Sequence, residues 1–235
     1  MRRIGFLHTA SAHVETFDLL TDELAPSLAR EHVVRPDLLA RARLAGAGDR
    51  QVRLGVGTAV AELGSSAVVL CTCSTIGSVA EACGRDRGVP VLRVDRPMAE
   101  LAVRSGGKIA LVAALASTLT PTRSLLEAVA REAGASVEIV DAPCLDAWAL
   151  FAAGDDRGFQ RRVAEHLEQL DPSFEAAVLA QASMAPAARL ATTGIRVLTS
   201  PRLGVEAASR LAGAGGAARR ETVELPAVRP WSCLP

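Results

Sequence analysis

The sequence predicts an α/β protein built as two pseudo-symmetric parallel-sheet lobes with a cleft between them. Continuous apolar runs alternate with helical patterns along the 235 residues, and such runs are typical of parallel strands that helices cover on both faces. Residues 4–20 have the pattern of a strand, a small polar loop and a helix, and residues 109–126 repeat that order. Residues 67–75 and 176–183 are a second matching pair, each an apolar strand that ends in polar or reactive side chains.

The individual elements follow from the same patterns. The first half is predicted to contain strands at residues 4–7, 32–34, 67–70 and 89–94 and helices at 14–30, 36–45 and 49–63. The second half is predicted to contain strands at 108–113, 136–140, 176–180 and 196–199 and helices at 121–133 and 147–170. Pro121 is a favourable first helical residue, and Gly134 is a favourable helix end. We therefore assign residues 1–97 and 197–235 to the first lobe and residues 98–196 to the second.

Composition and charge argue against several classes of function. Hydrophobic residues make up 49% of the chain and charged residues 22%, as in an ordinary globular protein. The formal net charge is zero and no basic block is present, which argues against nucleic-acid binding. No apolar stretch approaches the roughly 20 residues of a membrane span. The apolar run at residues 4–7 is also shorter than a secretory signal requires.

The cysteine pattern favours a reducing, cytoplasmic compartment. The chain has five cysteines, and an odd number without a secretion signal indicates free thiols. Cys71 and Cys73 lack the spacing of a zinc knuckle, and no second Cys/His pair completes four ligands, so no metal is expected. The same spacing argues against a redox dithiol, which is typically Cys-x-x-Cys. A homodimer is the default oligomer for such a chain.

Cys73 is the leading candidate for a reactive group. It follows an apolar strand within the segment 71–77, so it is expected at the carboxyl end of that strand and beside the start of the next helix. The positive end of a helix lowers the pKa of a thiol and favours the thiolate. Ser74 and Thr75 add hydroxyls that could bind a substrate. The alternative interpretation is a small buried hydrophobic residue, which free cysteines commonly are.

The order Cys73-Ser74-Thr75 after an apolar strand resembles the Cys-Asn-Thr segment of the aspartate/glutamate racemase superfamily. That superfamily includes glutamate, aspartate and hydantoin racemases, maleate isomerase and arylmalonate decarboxylase. The resemblance extends over residues 4–199 and implies a two-lobed fold with the active site between the lobes. It also implies cofactor-independent proton transfer at carbon. In the racemases one cysteine removes a proton from the α-carbon of a small carboxylate, and a second cysteine returns one.

The sequence departs from this pattern at the second cysteine. The segment 178–184 matches the family's second strand and loop, but Gln181 holds the position of the cysteine, or Ala182 if the internal repeat is followed. Glutamine is neither an acid nor a base at neutral pH. Gln181 and Ser183 could still orient a carboxylate or stabilise an enolate by hydrogen bonds. Ser183 could donate a proton only with a further activating group.

Five further residues are candidates for the cleft. His8 and Ser11 lie where the racemases carry Asp-Ser, His8 as an acid–base partner and Ser11 as a carboxylate ligand. Ser117 and Thr118 precede a helix of the second half, where hydroxyls and backbone N–H groups are suited to an anion. Cys144 follows a predicted strand and is either a second thiol at the cleft or a buried loop thiol.

The sequence leaves three functions open. A racemase or isomerase that uses Cys73 on a small carboxylate is the leading hypothesis, with Gln181, Ser183, His8 or Cys144 facing the thiol. A decarboxylase or another lyase of the superfamily needs only one cysteine. A non-catalytic protein that binds a small carboxylate on the same scaffold would not need a second thiol.

Overall fold

A computed structural model describes residues 2–214 of the chain. Residue 1 and residues 215–235 lie outside the described part. Cys233 and the end of the range 197–235, which the sequence assigns to the first lobe, therefore fall outside it as well.

The first lobe is a parallel sheet with helices on both faces. Its apolar strand residues point into two layers of helix, and the strands β1 and β3 at its centre are almost completely buried. Its elements are β1 (Arg3–His8), α1 (His13–Leu24), β2 (Ala29–Val34), α2 (Pro36–Ala45), α3 (Arg50–Glu62), β3 (Val68–Cys71), α4 (Ser74–Arg87) and β4 (Val91–Arg93).

The second lobe repeats this arrangement. It is preceded by α5 (Arg96–Ser105) and followed by α9 (Ser200–Ala214). Between them lie β5 (Lys108–Val112), a 3₁₀-helix (Ala116–Thr118), α6 (Leu119–Ala133), β6 (Glu138–Asp141), α7 (Ala147–Ala152), α8 (Asp156–Glu168), β7 (Ala176–Leu179), a second 3₁₀-helix (Ala182–Arg189) and β8 (Arg196–Thr199).

The two sheets have the same topology, which confirms the predicted pseudo-symmetric α/β fold. In the described residues the strand orders are β2-β1-β3-β4 and β6-β5-β7-β8, and every pairing is parallel. All these strands therefore have their carboxyl ends at one edge of their sheet, where parallel α/β proteins place their ligands.

Each lobe receives a helix from the other half of the chain. Helix α5 follows the first sheet, but its Met98 and Ala102 pack in the core of the second lobe with Ile109. Helix α9 follows the second sheet, and its Val205 and Ala208 pack in the core of the first lobe. The chain thus crosses between lobes twice, after β4 and again after β8.

The cores rest on side chains that no solvent reaches. Phe6 and Phe17 are fully buried in the first lobe, and Leu126 and Phe159 are at most 1% exposed in the second. A side chain of this size stabilises the fold by about 1.5–3 kcal/mol when it is fully buried. No described helix combines the length and the hydropathy needed to cross a membrane.

Local chemistry explains several helix ends. Helix α3 begins after Asp49, whose carboxylate accepts hydrogen bonds from the backbone N–H groups of Gln51 (3.0 Å) and Val52 (3.2 Å). Such an N-cap contributes about 1 kcal/mol. Helices α4 and α6 end at Gly88 (φ 67°) and Gly134 (φ 61°), in the left-handed region that glycine favours. The predicted end at Gly134 is confirmed.

Three predicted helices differ from the structure. The predicted helix 14–30 is wrong beyond Leu24, because Pro26 cannot continue a helix and the residues from Ala29 onward pair as β2. The predicted helix 147–170 is two helices, α7 and α8, separated at Gly154, which has a φ of 77°. Helix α6 starts at Leu119, two residues before the predicted start. Helices α5 and α9 have no counterpart in the sequence-based assignment.

Polar contacts join the lobes beside the strand ends. The Ser74 hydroxyl donates to the carbonyl oxygen of Ala180 at 2.9 Å. The Arg93 guanidinium forms two hydrogen bonds of 2.9 and 2.8 Å with the fully buried Asp95, and a third of 3.3 Å with the carbonyl oxygen of Pro121. Gly77 leaves room for this guanidinium, because a Cβ atom there would lie 2.8 Å from Arg93 Nε.

Candidate active site

A cavity of about 50 Å³ lies between the lobes, where the carboxyl ends of the two sheets face each other. Both lobes contribute to it through the residues that follow β1, β3, β5 and β7. Its lining consists of Thr9, Ala10, His13, Leu39, Thr72, Cys73, Ser74, Thr75, Leu115, Thr118, Trp148, Phe151, Gln181, Ala182 and Ser183. The cavity is thus the cleft that the sequence predicts between the lobes.

Cys73 lies at the start of α4, as its N-cap residue. The Thr9 hydroxyl and the backbone N–H groups of Thr75 and Ile76 lie within hydrogen-bonding reach of the sulfur. Burial nevertheless raises the pKa of the Cys73 thiol, and it outweighs these hydrogen bonds, which lower the pKa. Cys73 is therefore a neutral thiol at pH 7, contrary to the expectation that the helix end favours the thiolate. The residue is only 8% exposed. The free-energy cost of desolvating a negatively charged sulfur therefore exceeds the stabilisation of the thiolate by the helix end.

The residues after Cys73 line the same cavity. Ser74 and Thr75 are both buried. The Ser74 hydroxyl is occupied by its bond to Ala180 across the lobe boundary, so it fixes the distance between β3 and β7. The Thr75 side chain lies close enough to the Cys73 sulfur to lower the pKa of the thiol by hydrogen bonding.

Gln181 is the counterpart of Cys73 in the second lobe. It is the N-cap of the 3₁₀-helix after β7, two residues beyond the end of its strand, as Cys73 is beyond β3. Its side-chain oxygen accepts hydrogen bonds from the backbone N–H groups of Ala114 (2.7 Å) and Leu115 (3.1 Å). These two donors fix the amide so that its NH₂ group remains to serve as a hydrogen-bond donor.

Three more of the predicted site residues reach the cavity wall. Ala182, Ser183 and Thr118 all line it. Ala182 also packs in the core of the first lobe, so it closes the cavity at the lobe boundary. Thr118 is buried and precedes α6, where the sequence predicts an anion-binding hydroxyl.

His8 lies behind the cavity wall and does not line the cavity. Its Nδ1 is 2.8 Å from the hydroxyl oxygen of Thr72, and its Nε2 is 2.9 Å from Nδ1 of His32. Burial, together with the charges of the neighbouring His32 and His13, lowers the pKa of His8 to about 3. His8 is therefore a neutral imidazole that contacts the cavity through Thr72.

Ser11, Ser117 and Cys144 are not among the residues that line the cavity. Ser11 is exposed, and the Ser117 hydroxyl is buried without a hydrogen-bond partner in the described part of the chain. Cys144 packs in the core of the second lobe with Phe159, and burial raises the pKa of its thiol to about 11. The alternative of a buried loop thiol therefore describes Cys144.

His13 is a lining residue that the sequence reasoning did not assign to the site. It is the first residue of α1, and its Nδ1 is buried without a hydrogen-bond partner among residues 2–214. Burial lowers the pKa of His13, so the ring is a neutral imidazole at pH 7. Its position in the loop after β1 was the available signal, since strand-end loops line the site in this class of fold.

The aromatic part of the wall lies outside the predicted set of site residues. Trp148 and Phe151 belong to the short helix α7, and their rings lie 5.1 Å apart. Nothing in the local sequence distinguishes them from core aromatics. Only the packing of α7 against the lobe boundary brings them to the cavity.

The lining is suited to proton exchange between neutral groups. Among the described lining residues only Cys73 and His13 titrate, and both are neutral at pH 7. Hydroxyl and amide groups surround them. No group of three or more His, Cys, Asp or Glu side chains suited to a metal ion occurs within residues 2–214.

No protein-family model matches the sequence, and no curated protein matches it in a sequence comparison. Solved structures do match. Glutamate racemase from Thermus thermophilus in complex with beta-chloro-D-alanine has a TM-score of 0.67 at 20% sequence identity, over 94% of this chain and 84% of that one. Aspartate racemase from Picrophilus torridus has a TM-score of 0.65 at 13% identity, over 91% and 95% of the two chains.

Allantoin racemase from Klebsiella pneumoniae covers the most of this chain among these three, 99%, and 96% of its own, with a TM-score of 0.57 at 17% identity. The chain has the fold of the aspartate/glutamate racemases. The two-lobed fold that the sequence resemblance implies is thereby confirmed. In this racemase fold the equivalent strand ends carry Cys73 on one side of the cavity and Gln181 on the other.

Proposed function

We propose that this chain is a racemase or isomerase that transfers a proton at carbon in a small carboxylate, with Cys73 as one acid–base group and without a cofactor. The observation that carries the proposal is the small cavity between the lobes, in which a thiol and an imidazole are the titratable groups of the lining. The three similar structures are all named racemases, which supports inversion at a stereocentre.

His13 takes the role that a second cysteine has in the two-thiol racemases. A neutral imidazole can accept a proton, and a neutral thiol can donate one. In one direction His13 removes the proton from carbon while Cys73 delivers its own proton to the opposite face. That turnover leaves an imidazolium and a thiolate, and the reverse reaction or exchange with solvent returns both groups to their starting states.

Neutral donors would hold the carboxylate. Gln181, Ser183 and Thr118 line the cavity, and their side chains carry an NH₂ group and two hydroxyls that can donate hydrogen bonds. Removal of the proton shifts negative charge onto the carboxylate oxygens, so hydrogen bonds to these oxygens strengthen as the reaction proceeds. Donors that are already fixed, as Gln181 is by two backbone N–H groups, stabilise that charge without reorganising.

Deuterium exchange tests this function directly. The protein is incubated with single enantiomers of small amino acids, their ring-closed ureides and other α-substituted carboxylates in D₂O. NMR and chiral chromatography then follow incorporation at the stereocentre. Since a general acid–base group contributes about 10²–10⁴-fold, Cys73→Ala should lower the exchange rate by at least about 100-fold. Cys144→Ala, which removes a thiol remote from the cavity, is the matched control. Undiminished exchange in Cys73→Ala would refute the role of the thiol.

A decarboxylase or another lyase is the second candidate. It is favoured by Gln181, because Cys73 is the only thiol among the described residues that line the cavity. One thiol is enough to protonate an enediolate after carbon dioxide leaves. Release of carbon dioxide in proportion to substrate consumed distinguishes this reaction from racemisation, in which no carbon is lost. Tight carboxylate binding without either reaction would identify a binding protein.

A further inference from the structure

A second, larger cavity adjoins the one that contains Cys73. Its volume is about 490 Å³, against about 50 Å³ for the inner cavity. Four residues line both spaces, and these are His13, Phe151, Ala182 and Ser183. The outer cavity therefore borders the candidate active site along these four residues.

The inner cavity is too small for a complete substrate of ordinary size. One water molecule needs roughly 10–15 Å³ of such volume, so the inner cavity holds on the order of four water-sized groups. That is enough for a carboxylate and the carbon that bears it. Any further substituent on this carbon has to extend past the four shared residues into the outer cavity.

The outer cavity has predominantly apolar walls. Helix α1 contributes Leu19 and Leu20, and the 3₁₀-helix after β7 contributes Ala185, Pro186 and Ala188. Phe151 of α7 stands at the border with the inner space. An aromatic or branched aliphatic group would be desolvated against these side chains, and such burial is the main source of affinity in small-molecule sites.

The charged side chains of this cavity do not create an anion site at its centre. Arg202 is neutralised by Glu23, with hydrogen bonds of 2.5 and 2.6 Å to the two carboxylate oxygens. Arg189 and Asp156 are exposed and carry opposite charges. The interior therefore favours an uncharged apolar group over a second carboxylate.

We propose that the outer cavity binds a bulky apolar substituent, aryl or branched alkyl, carried by the reacting carbon of the substrate carboxylate. The substrate class is then an α-substituted carboxylate larger than aspartate or glutamate. The inference rests on the proposed function only in placing the carboxylate beside Cys73.

Two probe molecules test the inference without turnover. Propionate carries only a methyl group on the carbon next to its carboxylate, and 2-phenylpropionate adds a phenyl group at the same carbon. Calorimetric titration of the full chain should show 2-phenylpropionate binding at least about tenfold more tightly, because a buried phenyl group contributes that much affinity. Equal dissociation constants within about twofold would overturn the proposal.

A matched pair of variants tests whether the preference for 2-phenylpropionate over propionate arises in the outer cavity. Thr16 is exposed and lines the outer cavity, so Thr16→Trp should fill that space and reduce the preference to about twofold or less. Thr58 is exposed on α3 and lines neither cavity, so Thr58→Trp should keep the full preference. If Thr16→Trp keeps it too, the phenyl group binds elsewhere and the proposal fails.

Alkylation of Cys73 shows whether one molecule spans both cavities. Saturating 2-phenylpropionate should slow iodoacetamide labelling of Cys73 at least fivefold, as read by peptide mass spectrometry, whereas unchanged labelling would contradict the proposal. Neither binding nor protection requires catalysis. A wild-type protein that shows the aryl preference but no deuterium exchange would refute the proposed function alone. Deuterium exchange without a preference for 2-phenylpropionate would refute only the proposed role of the outer cavity.

Discussion

The two lobes share a topology but differ in what they place at equivalent strand ends. Strands β3 and β7 are each four buried residues, and the N-cap of the next helix lies two residues beyond each strand. The backbone at these two positions is nearly the same, φ −117° and ψ 112° at Cys73 against φ −121° and ψ 138° at Gln181. One position carries a thiol, and the other carries an amide that cannot transfer a proton.

The same contrast holds for two of the three other strand pairs, and it is reversed at the third, where β2 ends in Val34 and β6 ends in Asp141. Strand β1 ends in the buried His8, whereas β5 ends in Val112. Strand β4 ends in Arg93, which pairs with the buried Asp95, whereas β8 ends in Thr199. Of the described residues that line the cavity with Cys73, the titratable ones, His13 and Cys73, belong to the first lobe, and the second lobe supplies neutral donors and apolar side chains. A repeated scaffold fixes where a side chain will be, and the residue at each position then decides the chemistry.

The largest expected effect concerns the buried charge of the first lobe. Asp95→Asn leaves Arg93 without its counter-ion in a buried site, which should lower the free energy of unfolding by about 3–5 kcal/mol. Asp37 is the matched control, because it also lies two residues after its arginine partner, Arg35, but at the surface. Asp37→Asn should change stability by less than about 1 kcal/mol. Urea denaturation of both variants measures the difference, and equal losses would show that burial of the pair is unimportant.

The second prediction concerns the buried histidine at the end of β1. The pKa of His8 is about 3 in the folded protein and about 6.5 in the unfolded chain. Between these values the unfolded chain binds more protons, so the stability contributed by neutral His8 is complete above pH 6.5 and is lost as the pH falls. At pH 4.5 the loss should be about 2–3 kcal/mol.

His8→Asn removes this titration. Urea denaturation at pH 7 and pH 4.5 should therefore give a smaller acid-dependent loss for His8→Asn than for wild type, by about 2–3 kcal/mol. Comparison of the two pH values within each protein cancels any constant cost of the substitution. An identical pH dependence in the variant would show that His8 is not the group responsible.

The smallest expected effect concerns Gln181, the neutral counterpart of Cys73 in the cavity wall. Gln181→Glu keeps an oxygen that can accept from Ala114 and Leu115, but it replaces the NH₂ donor with a second negative oxygen. Propionate should bind at least about tenfold more weakly to this variant, because like charges repel strongly in a buried site. Gln160→Glu, in the outer cavity, should change the affinity less than about threefold. Unchanged propionate binding by Gln181→Glu would mean that Gln181 does not face the carboxylate.

Local sequence patterns predicted the bounds of a helix or strand well where no distant contact affects those bounds. The strand Arg196–Thr199 and the helix Pro36–Ala45 have the predicted bounds. The predicted helix 14–30 is too long, because Pro26 ends the helical pattern although the apolar period continues beyond it. Helices α5 and α9 were missed because each packs against the other lobe. The sequence of a helix does not show which lobe it packs against.

The site was predictable in part. Cys73, Gln181 and Ser183 follow apolar strands, and parallel strands bring such ends together at one edge of a sheet. His13 and Trp148 reach the same cavity from helices, so their participation depends on how the helices pack. The direction of the Cys73 pKa was also misjudged, because the helix end is a local feature whereas burial is produced by both lobes.

The sequence by itself determined the two-lobed α/β fold, the thiol at one strand end and the amide at its counterpart, since each follows from apolar runs and the residues that end them. Only the tertiary structure decided that His8 lies behind the wall while His13 lines the cavity, that Cys144 is in the core, and that Cys73 is a neutral thiol. The physical reason is that desolvation and side-chain contact depend on which distant segments meet, and the order of residues within one segment does not contain that information.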